Sequence, residues 1–161
     1  MKKTILINYD KCVGCRNCSL ACSFAKETEF SLVKARIGPL WIPKIGMNVP
    51  MVCQHCEKPL CMDACPMGAI SRDEETGAVV RNSDVCIGCK MCVVVCPLGG
   101  CQLAESKDGK GAVQKCDLCD GDPECVKHCL YGALEFVDAN EGNYIKRKGA
   151  ILKFTEALER I

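Results

Sequence analysis

An α+β architecture of two related units, built from short strands, short helices and many loops, is what this sequence predicts. One unit is circularly permuted, so that its parts lie at the two ends of the chain. Three observations predict this. Seventeen of the 161 residues are cysteine. All but one of these fall into four groups of similar spacing. The sequences around the groups resemble one another alternately, the first like the third and the second like the fourth.

The elements follow in order. Ile5-Leu6-Ile7 is a short β-like run before the first cysteine group. Residues 18–28 read as a helix, and other short helices are expected to begin near the fourth cysteine of each group. The insert at 29–52 carries Pro39, Pro43 and Pro50, which argue against a helix and for extended segments. Val79-Val80 is a second β-like run, before the third group, and Asp108-Gly109-Lys110-Gly111 reads as a turn. From Gly149 onward, Ile151, Phe154, Leu158 and Ile161 recur at helical spacing, with Lys153, Glu156, Glu159 and Arg160 on the other faces. That tail lies outside the repeat.

Composition limits the chemistry. A chain this rich in cysteine is a disulfide scaffold if secreted and a metal scaffold if kept reduced. Met1-Lys2-Lys3 precedes too short an apolar stretch for a signal peptide, no run approaches a membrane span, and no twin-arginine signal is present. A reducing cytoplasm is therefore expected, and with it an anaerobic or microaerobic setting. The formal charge of +1 gives no case for nucleic-acid binding. With three Tyr, four Phe and one Trp, a conventional aromatic core is not expected, and bound metal would supply much of the folding free energy.

The groups are Cys12-x2-Cys15-x2-Cys18-x3-Cys22, Cys53-x2-Cys56-x4-Cys61-x3-Cys65-Pro66, Cys86-x2-Cys89-x2-Cys92-x3-Cys96-Pro97 and Cys116-x2-Cys119-x5-Cys125-x3-Cys129. Three cysteines two apart wrap a loop around one iron–sulfur cubane, and the fourth reaches the other cluster of a pair. The groups should therefore act in twos. Asn8, Asp10, Cys12, Val13, Gly14 and Cys15 match Asn82, Asp84, Cys86, Ile87, Gly88 and Cys89. Cys65-Pro66-Met67-Gly68-Ala69-Ile70 matches Cys129-Leu130-Tyr131-Gly132-Ala133-Leu134, and both parent groups have a widened gap before their third cysteine. The second and third groups then form one unit, and the fourth and first another.

This assigns four [4Fe–4S] clusters. Cluster A takes Cys12, Cys15, Cys18 and Cys129, and cluster B takes Cys116, Cys119, Cys125 and Cys22. Cluster C takes Cys53, Cys56, Cys61 and Cys96, and cluster D takes Cys86, Cys89, Cys92 and Cys65. Pairing of the first group with the second is the alternative. With four thiolates per oxidised cluster, the four sites would bring the holoprotein charge to about −7.

The chain resembles the four-cluster, ferredoxin-like small subunits of molybdenum and tungsten oxidoreductases, formate dehydrogenases and some hydrogenases. The resemblance covers residues 1–137, including Cys53-Gln54-His55-Cys56-Glu57-Lys58-Pro59-Leu60-Cys61. It implies two ferredoxin-like units, each with two [4Fe–4S] clusters: residues 1–22 plus 116–137, and residues 53–101. Segments 23–52 and 102–115 connect them, and 138–161 is a C-terminal extension. Ser23 and Leu130 replace the proline that follows the last cysteine of a standard motif, so looser loop ends are expected there.

The resemblance implies an electron-transfer subunit without catalysis of its own. Its partners would be a larger catalytic subunit bearing tungsten or molybdenum, of the aldehyde oxidoreductase type, and a soluble acceptor or flavoprotein subunit. A formate dehydrogenase or hydrogenase partner is the alternative. A freestanding sensor or structural protein, with clusters or zinc, is the alternative of another class; zinc prefers two separated CxxC pairs, and the triplets here do not suit it. No catalytic triad, phosphate loop or nucleotide fingerprint is present. Cys101 aligns with Ile70 and Leu134 and is expected to pack as a small hydrophobe. His55 and His128 are expected either to hydrogen-bond a cluster sulfur or to face solvent. Trp41, in Pro39-Leu40-Trp41-Ile42-Pro43, is expected to pack in the fold, with packing over a cluster or a partner contact as the alternatives. The insert around Leu40-Trp41-Ile42, the tail from Gly149 or both are expected to dock on the larger subunit.

Overall fold

The computed structural model describes residues 3–104 and 112–142. The Asp108–Gly111 turn and the helix expected from Gly149 lie outside the described residues. Eight strands are described: β1 Lys3–Ile7, β2 Ile37–Ile42, β3 Met47–Val52, β4 Ile70–Arg72, β5 Val79–Arg81, β6 Cys101–Ala104, β7 Ala112–Lys115 and β8 Leu134–Asp138. The helices are α1 Asn17–Glu27, α2 Leu60–Asp63, α3 Met91–Val94 and α4 Glu124–Lys127.

The strands form four antiparallel pairs, β2–β3, β4–β5, β6–β7 and β1–β8. The first three join chain neighbours. The fourth joins the two ends of the described chain, with Ile5 opposite Phe136 and Ile7 opposite Leu134. Thus the strand before the first cysteine group lies on the strand after the fourth, and β5, before the third group, lies on β4, after the second. The correspondence reaches individual hydrogen bonds: Asn8 N–H donates to Ala133 O at 2.9 Å, and Asn82 N–H donates to Ala69 O at 2.8 Å. Asn8 Oδ1 and Asn82 Oδ1 then accept from Asp10 N–H and Asp84 N–H at 3.2 and 2.9 Å. The repeated Asn-x-Asp is therefore an Asx turn that swings the chain from strand into cysteine loop.

The insert is a β-hairpin, as its prolines require. Pro39 and Pro50 face each other across β2 and β3, both at the edges of a two-stranded ribbon where a missing N–H costs little.

The helices correct the sequence reading. α2, α3 and α4 begin one residue before the third cysteine and end before the fourth, rather than beginning near the fourth. Pro66 and Pro97 cannot extend α2 and α3, although α4 ends at the same place with Leu130 in the proline position. α1 runs on through Cys22 to Glu27, because Ser23 leaves its backbone N–H free to continue the helix. The end of the first group is thus not loose: Ser23 is fully buried, its hydroxyl donates to Leu20 O at 3.1 Å, and its Oγ accepts from Ser31 N–H at 3.0 Å. Leu130 does not loosen the fourth group either, since its turn keeps the hydrogen bond from Gly132 N–H to Cys129 O at 3.2 Å, as Gly68 N–H does to Cys65 O at 3.2 Å.

Two buried clusters form the core. One gathers Ile5, Ala35, Ile37, Val52, Ala78, Leu118 and Leu134 with Cys22, Cys53, Cys116 and Cys125. The other gathers Ile70, Val79 and Val113 with Cys61, Cys92 and Cys101. The most deeply buried large side chains are aliphatic, Ile5, Ile37, Leu118, Val79 and Val113. Trp41 is not in the core: it is 54% exposed on β2, opposite Asn48. Ile37 and Trp41 share a face of β2, so the core covers the start of the hairpin and not its far end.

Candidate iron–sulfur centres

The loops that carry the first three cysteines of each group are shaped by left-handed residues. Gly14 and Arg16 in the first group have φ of 71° and 64°, and Gly88 and Lys90 in the third have 69° and 66°. The alternation coils the chain so that successive cysteine side chains turn to one side. Glycine suits the first position of each pair for lack of a Cβ; at Gly14 a Cβ would also fall 2.5 Å from the Asn48 side chain. The second and fourth groups use the widened gap differently. Pro59 and Pro123 sit immediately before α2 and α4, where proline's fixed φ and missing N–H suit a helix start.

Four hollows result, and each is lined by four of the cysteines. Hollow A is bordered by Cys12, Cys15, Cys18 and Cys129. Hollow B is bordered by Cys22, Cys116, Cys119 and Cys125. Hollow C is bordered by Cys53, Cys56, Cys61 and Cys96. Hollow D is bordered by Cys65, Cys86, Cys89 and Cys92. In every one of these quartets, three cysteines come from one group and the other is the fourth cysteine of another. Hollow C is the largest, about 530 Å³ against about 340, 300 and 350 Å³ for A, B and D, and its border also includes Cys101 and Lys115. All seventeen cysteines are unbridged. Among the described residues, no three His, Cys, Asp or Glu side chains converge as ligands of a single metal ion would. The quartets instead stand around a space.

Backbone amides are aimed at the sulfurs. The turns after three of the fourth cysteines each return one N–H to the sulfur: Ala69 to Cys65 at 3.3 Å, Gly100 to Cys96 at 3.2 Å and Ala133 to Cys129 at 3.2 Å. Cys22, inside the longer α1, lacks that turn and accepts from Arg36 N–H at 3.3 Å. Cys53 and Cys116 accept from His55 N–H and Leu118 N–H, each at 3.4 Å.

Charged side chains lock the loops. Asp117 accepts from Lys26 Nζ at 2.8 Å and lies 3.5 Å from the Arg36 guanidinium, tying α1 and the start of β2 to the fourth cysteine group. Arg72 donates to Gly77 O at 2.9 Å, to Glu57 O at 3.1 Å and to Cys56 O, pinning the second cysteine loop to the β4–β5 turn. Lys115, at the end of β7, is buried and donates to Cys53 Sγ at 2.8 Å. Burial pulls its pKa down, but the Cys53 thiolate and their hydrogen bond outweigh this, and the net direction is upward.

The thiols respond to the same surroundings. Burial raises Cys18 to about 11 and Cys116 to about 12, and moves Cys22, Cys61, Cys92 and Cys125 upward as well. Cys96 moves the other way: burial raises it, but the backbone N–H groups of Leu98, Gly100 and Cys101 lower it further. Buried thiols of this kind ionise when a cationic metal centre replaces the proton. Four soft sulfur donors around each space, with amides directed at the sulfurs, fit a [4Fe–4S] group.

The expectations for the remaining residues divide. Cys101 is 3% exposed beside Ile70 and Val79, so it packs as a small hydrophobe. His55 Nδ1 accepts from Val79 N–H at 2.9 Å, which places the ring proton on Nε2 and leaves no proton for the sulfur 3.9 Å away. The hydrogen bond to Cys53 comes from the His55 backbone instead. Burial first, then the charges of Lys115 and Arg72, lower the His55 pKa to about 3. His128 is exposed beside Glu124. Lys115, Asp117, Lys26, Arg36 and Arg72 were not foreseen. Lys115 could have been noticed as an ammonium directly before a first cysteine, in a position filled by Val52 and Val85 in two other groups.

The fold and its cysteine-lined hollows are those of a ferredoxin-type iron–sulfur protein. A model of the 4Fe-4S dicluster domain matches residues 46–139, and a model of a 4Fe-4S binding domain matches residues 9–25. The chain belongs to the 4Fe-4S dicluster domain family.

It is similar to the polyferredoxin-like subunit of the aliphatic sulfonate oxidoreductase of Pyrococcus furiosus, with 42% identity over 109 residues, 68% of this chain and 61% of that one. The B subunit of the anaerobic dimethyl sulfoxide reductase of Escherichia coli is 38% identical over 113 residues, 63% of this chain and 55% of that one. The electron transport protein HydN of Escherichia coli is 38% identical over 110 residues, 64% of this chain and 61% of that one. The chain thus matches little more than half the length of these relatives. Among solved structures, a component of the active site complex BamBC of benzoyl coenzyme A reductase is 26% identical, with 98% of this chain and 96% of that one covered at a TM-score of 0.48.

Proposed function

We propose that the chain is a non-catalytic electron-transfer subunit that relays single electrons through four [4Fe–4S] clusters between a catalytic subunit and an external redox partner. The observation that carries this reading is the set of four hollows, each bordered by four cysteines from two groups. The cluster, when bound, supplies a one-electron couple with full cysteine ligation and no open iron site. The protein's own residues hold the sulfurs, direct amide dipoles at them and keep water from the buried members of the quartets in B, C and D.

Pairing of the first group with the fourth and the second with the third, as in a circularly permuted repeat, is supported by the β1–β8 and β4–β5 pairs. The hollows follow in the order A, B, C, D. Cys18 and Cys22 on α1 border A and B, Cys53 and Cys116 share one core cluster between C and B, and the third and fourth cysteines of the second and third groups join C to D.

Hollow A stands at one end, next to an apolar surface. Val13 is 54%, Trp41 54% and Tyr131 52% exposed, and Pro39 and Pro50 of the hairpin border the hollow itself. Exposed aromatics beside a terminal redox site suit a lasting interface. We assign this face to a catalytic subunit bearing tungsten or molybdenum, of the aldehyde oxidoreductase type, with formate dehydrogenase or hydrogenase partners as the second reading. The relatives support a subunit of an oxidoreductase by what they are called. No helix among the described residues is long and apolar enough to cross a membrane, and a cytoplasmic complex is the setting we propose.

Metal analysis tests the reading. Anaerobically purified protein is expected to hold about 16 iron and about 16 acid-labile sulfide per chain. Stoichiometric zinc with little sulfide would overturn it, and the identity of the copurifying subunit would decide the partner.

A further inference from the structure

Lys115 is 7% exposed, and its Nζ lies 2.8 Å from Cys53 Sγ, the first cysteine of a different group from the one β7 leads into. Burying an ammonium is costly unless an anion meets it. Among the described residues no carboxylate lies within ion-pair distance of Nζ, and the sulfurs of Cys53, Cys61 and Cys96 are the groups that meet its charge. The fold does not demand a lysine here. Val52 holds the corresponding place before Cys53 at the end of β3, where it is buried, and Val85 precedes Cys86. Lys11, before Cys12, is exposed and reaches toward Glu135 at 3.9 Å. Of the four first cysteines, Cys53 therefore has a buried ammonium on its sulfur, supplied from across the molecule.

The geometry points to Lys115 as a residue that sets the reduction potential of the cluster in hollow C, raising it by stabilising the reduced state. The inference rests on the reading of Cys53, Cys56, Cys61 and Cys96 as ligands of one cluster. On reduction, one electron enters that cluster and its net charge with four thiolates becomes one unit more negative, with no proton taken up. A fixed positive charge in a water-poor site favours the more negative state. Lys115 reacts with nothing; it acts through Cys53. Arg81 offers hollow D a cation too, but from a half-exposed position.

The test compares full-length holoprotein with Lys115→Met and Lys115→Arg, each first assayed for iron and sulfide, then titrated with dithionite under EPR. Lys115→Met is expected to keep four clusters and to weaken reduction of one of them about tenfold, a shift of about 59 mV to lower potential for a one-electron couple. Lys115→Arg should restore most of that shift, because it keeps the charge. Unchanged potentials in Lys115→Met with full iron content would overturn the role of Lys115 and leave the cluster reading standing. Wild-type protein without [4Fe–4S] signals would overturn both. If Lys115→Met loses a cluster, pulsed EPR of reduced wild-type protein labelled with ¹⁵N-lysine decides. A ¹⁵N coupling at one cluster that vanishes in Lys115→Gln or Lys115→Arg supports the inference, and its absence in wild type refutes it.

Discussion

Cys22 provides the sharpest test of how the cysteine groups share clusters. It sits on α1 only four residues after Cys18, yet it borders hollow B with Cys116, Cys119 and Cys125, while Cys18 borders hollow A. It is 7% exposed, and its sulfur accepts from Arg36 N–H at 3.3 Å. On the proposed assignment, Cys22→Ala removes one of four ligands from B and none from A. Loss of that cluster takes iron from about 16 to about 12 per chain. Paired variants identify the cluster without any spectral assignment, because changes at one shared site do not add and changes at separate sites do. Cys22→Ala with Cys125→Ala should stay at about 12 iron, since both serve B. Cys22→Ala with Cys12→Ala should fall to about 8, since they serve B and A. Iron and sulfide assays on anaerobically purified protein supply the numbers. If the Cys22 and Cys12 pair costs a single cluster while the Cys22 and Cys125 pair costs two, the crossover assignment is refuted and sequential ligation within the first group takes its place.

Three further outcomes are expected. Ser23→Pro restores the usual residue after a fourth cysteine but removes an α1 hydrogen bond and the Ser23 contacts to Leu20 and Ser31; it should destabilise the holoprotein by about 3 kcal/mol, read as earlier loss of helical circular dichroism in denaturant, and an unchanged midpoint would count against the account of α1. Cys101→Ala should leave iron and sulfide at wild-type levels with only a modest loss of stability, because Cys101 packs among Ile70, Val79 and Val113; loss of a cluster would make it a ligand. Trp41→Asp, and separately deletion of residues 149–161, should weaken the complex with the catalytic subunit on size exclusion while visible absorption stays intact; full association of both variants would remove the hairpin and the tail from the proposed interface.

Much of the site was legible because cysteine spacing is a local constraint. Ligand loops are short, so the separation of their cysteines, the glycines at left-handed positions and the Asn-x-Asp turns are all written within a few residues. The β-like runs at Ile5-Leu6-Ile7 and Val79-Val80 were legible, though not the strands they pair with, and prolines in the insert pointed to extended chain. The helix starts were misread: each helix opens one residue before the third cysteine, with or without a proline after the fourth. The packing expected of Trp41 is not found, because hydrophobicity alone does not say which part of a hairpin lies over the core; its exposure is compatible with the alternative of a partner contact.

By itself, the sequence determined the number and grouping of the cysteines and the alternate likeness of the four groups. The tertiary structure alone decided what surrounds each sulfur. That Lys115 reaches Cys53 across 62 positions, that Lys26 and Arg36 meet at Asp117, and that Arg36 replaces at Cys22 the amide that a following turn supplies elsewhere are contacts between distant segments. Hydrogen bonds and charges act over a few ångströms of space, and spacing along a chain carries no record of which remote side chain will arrive there.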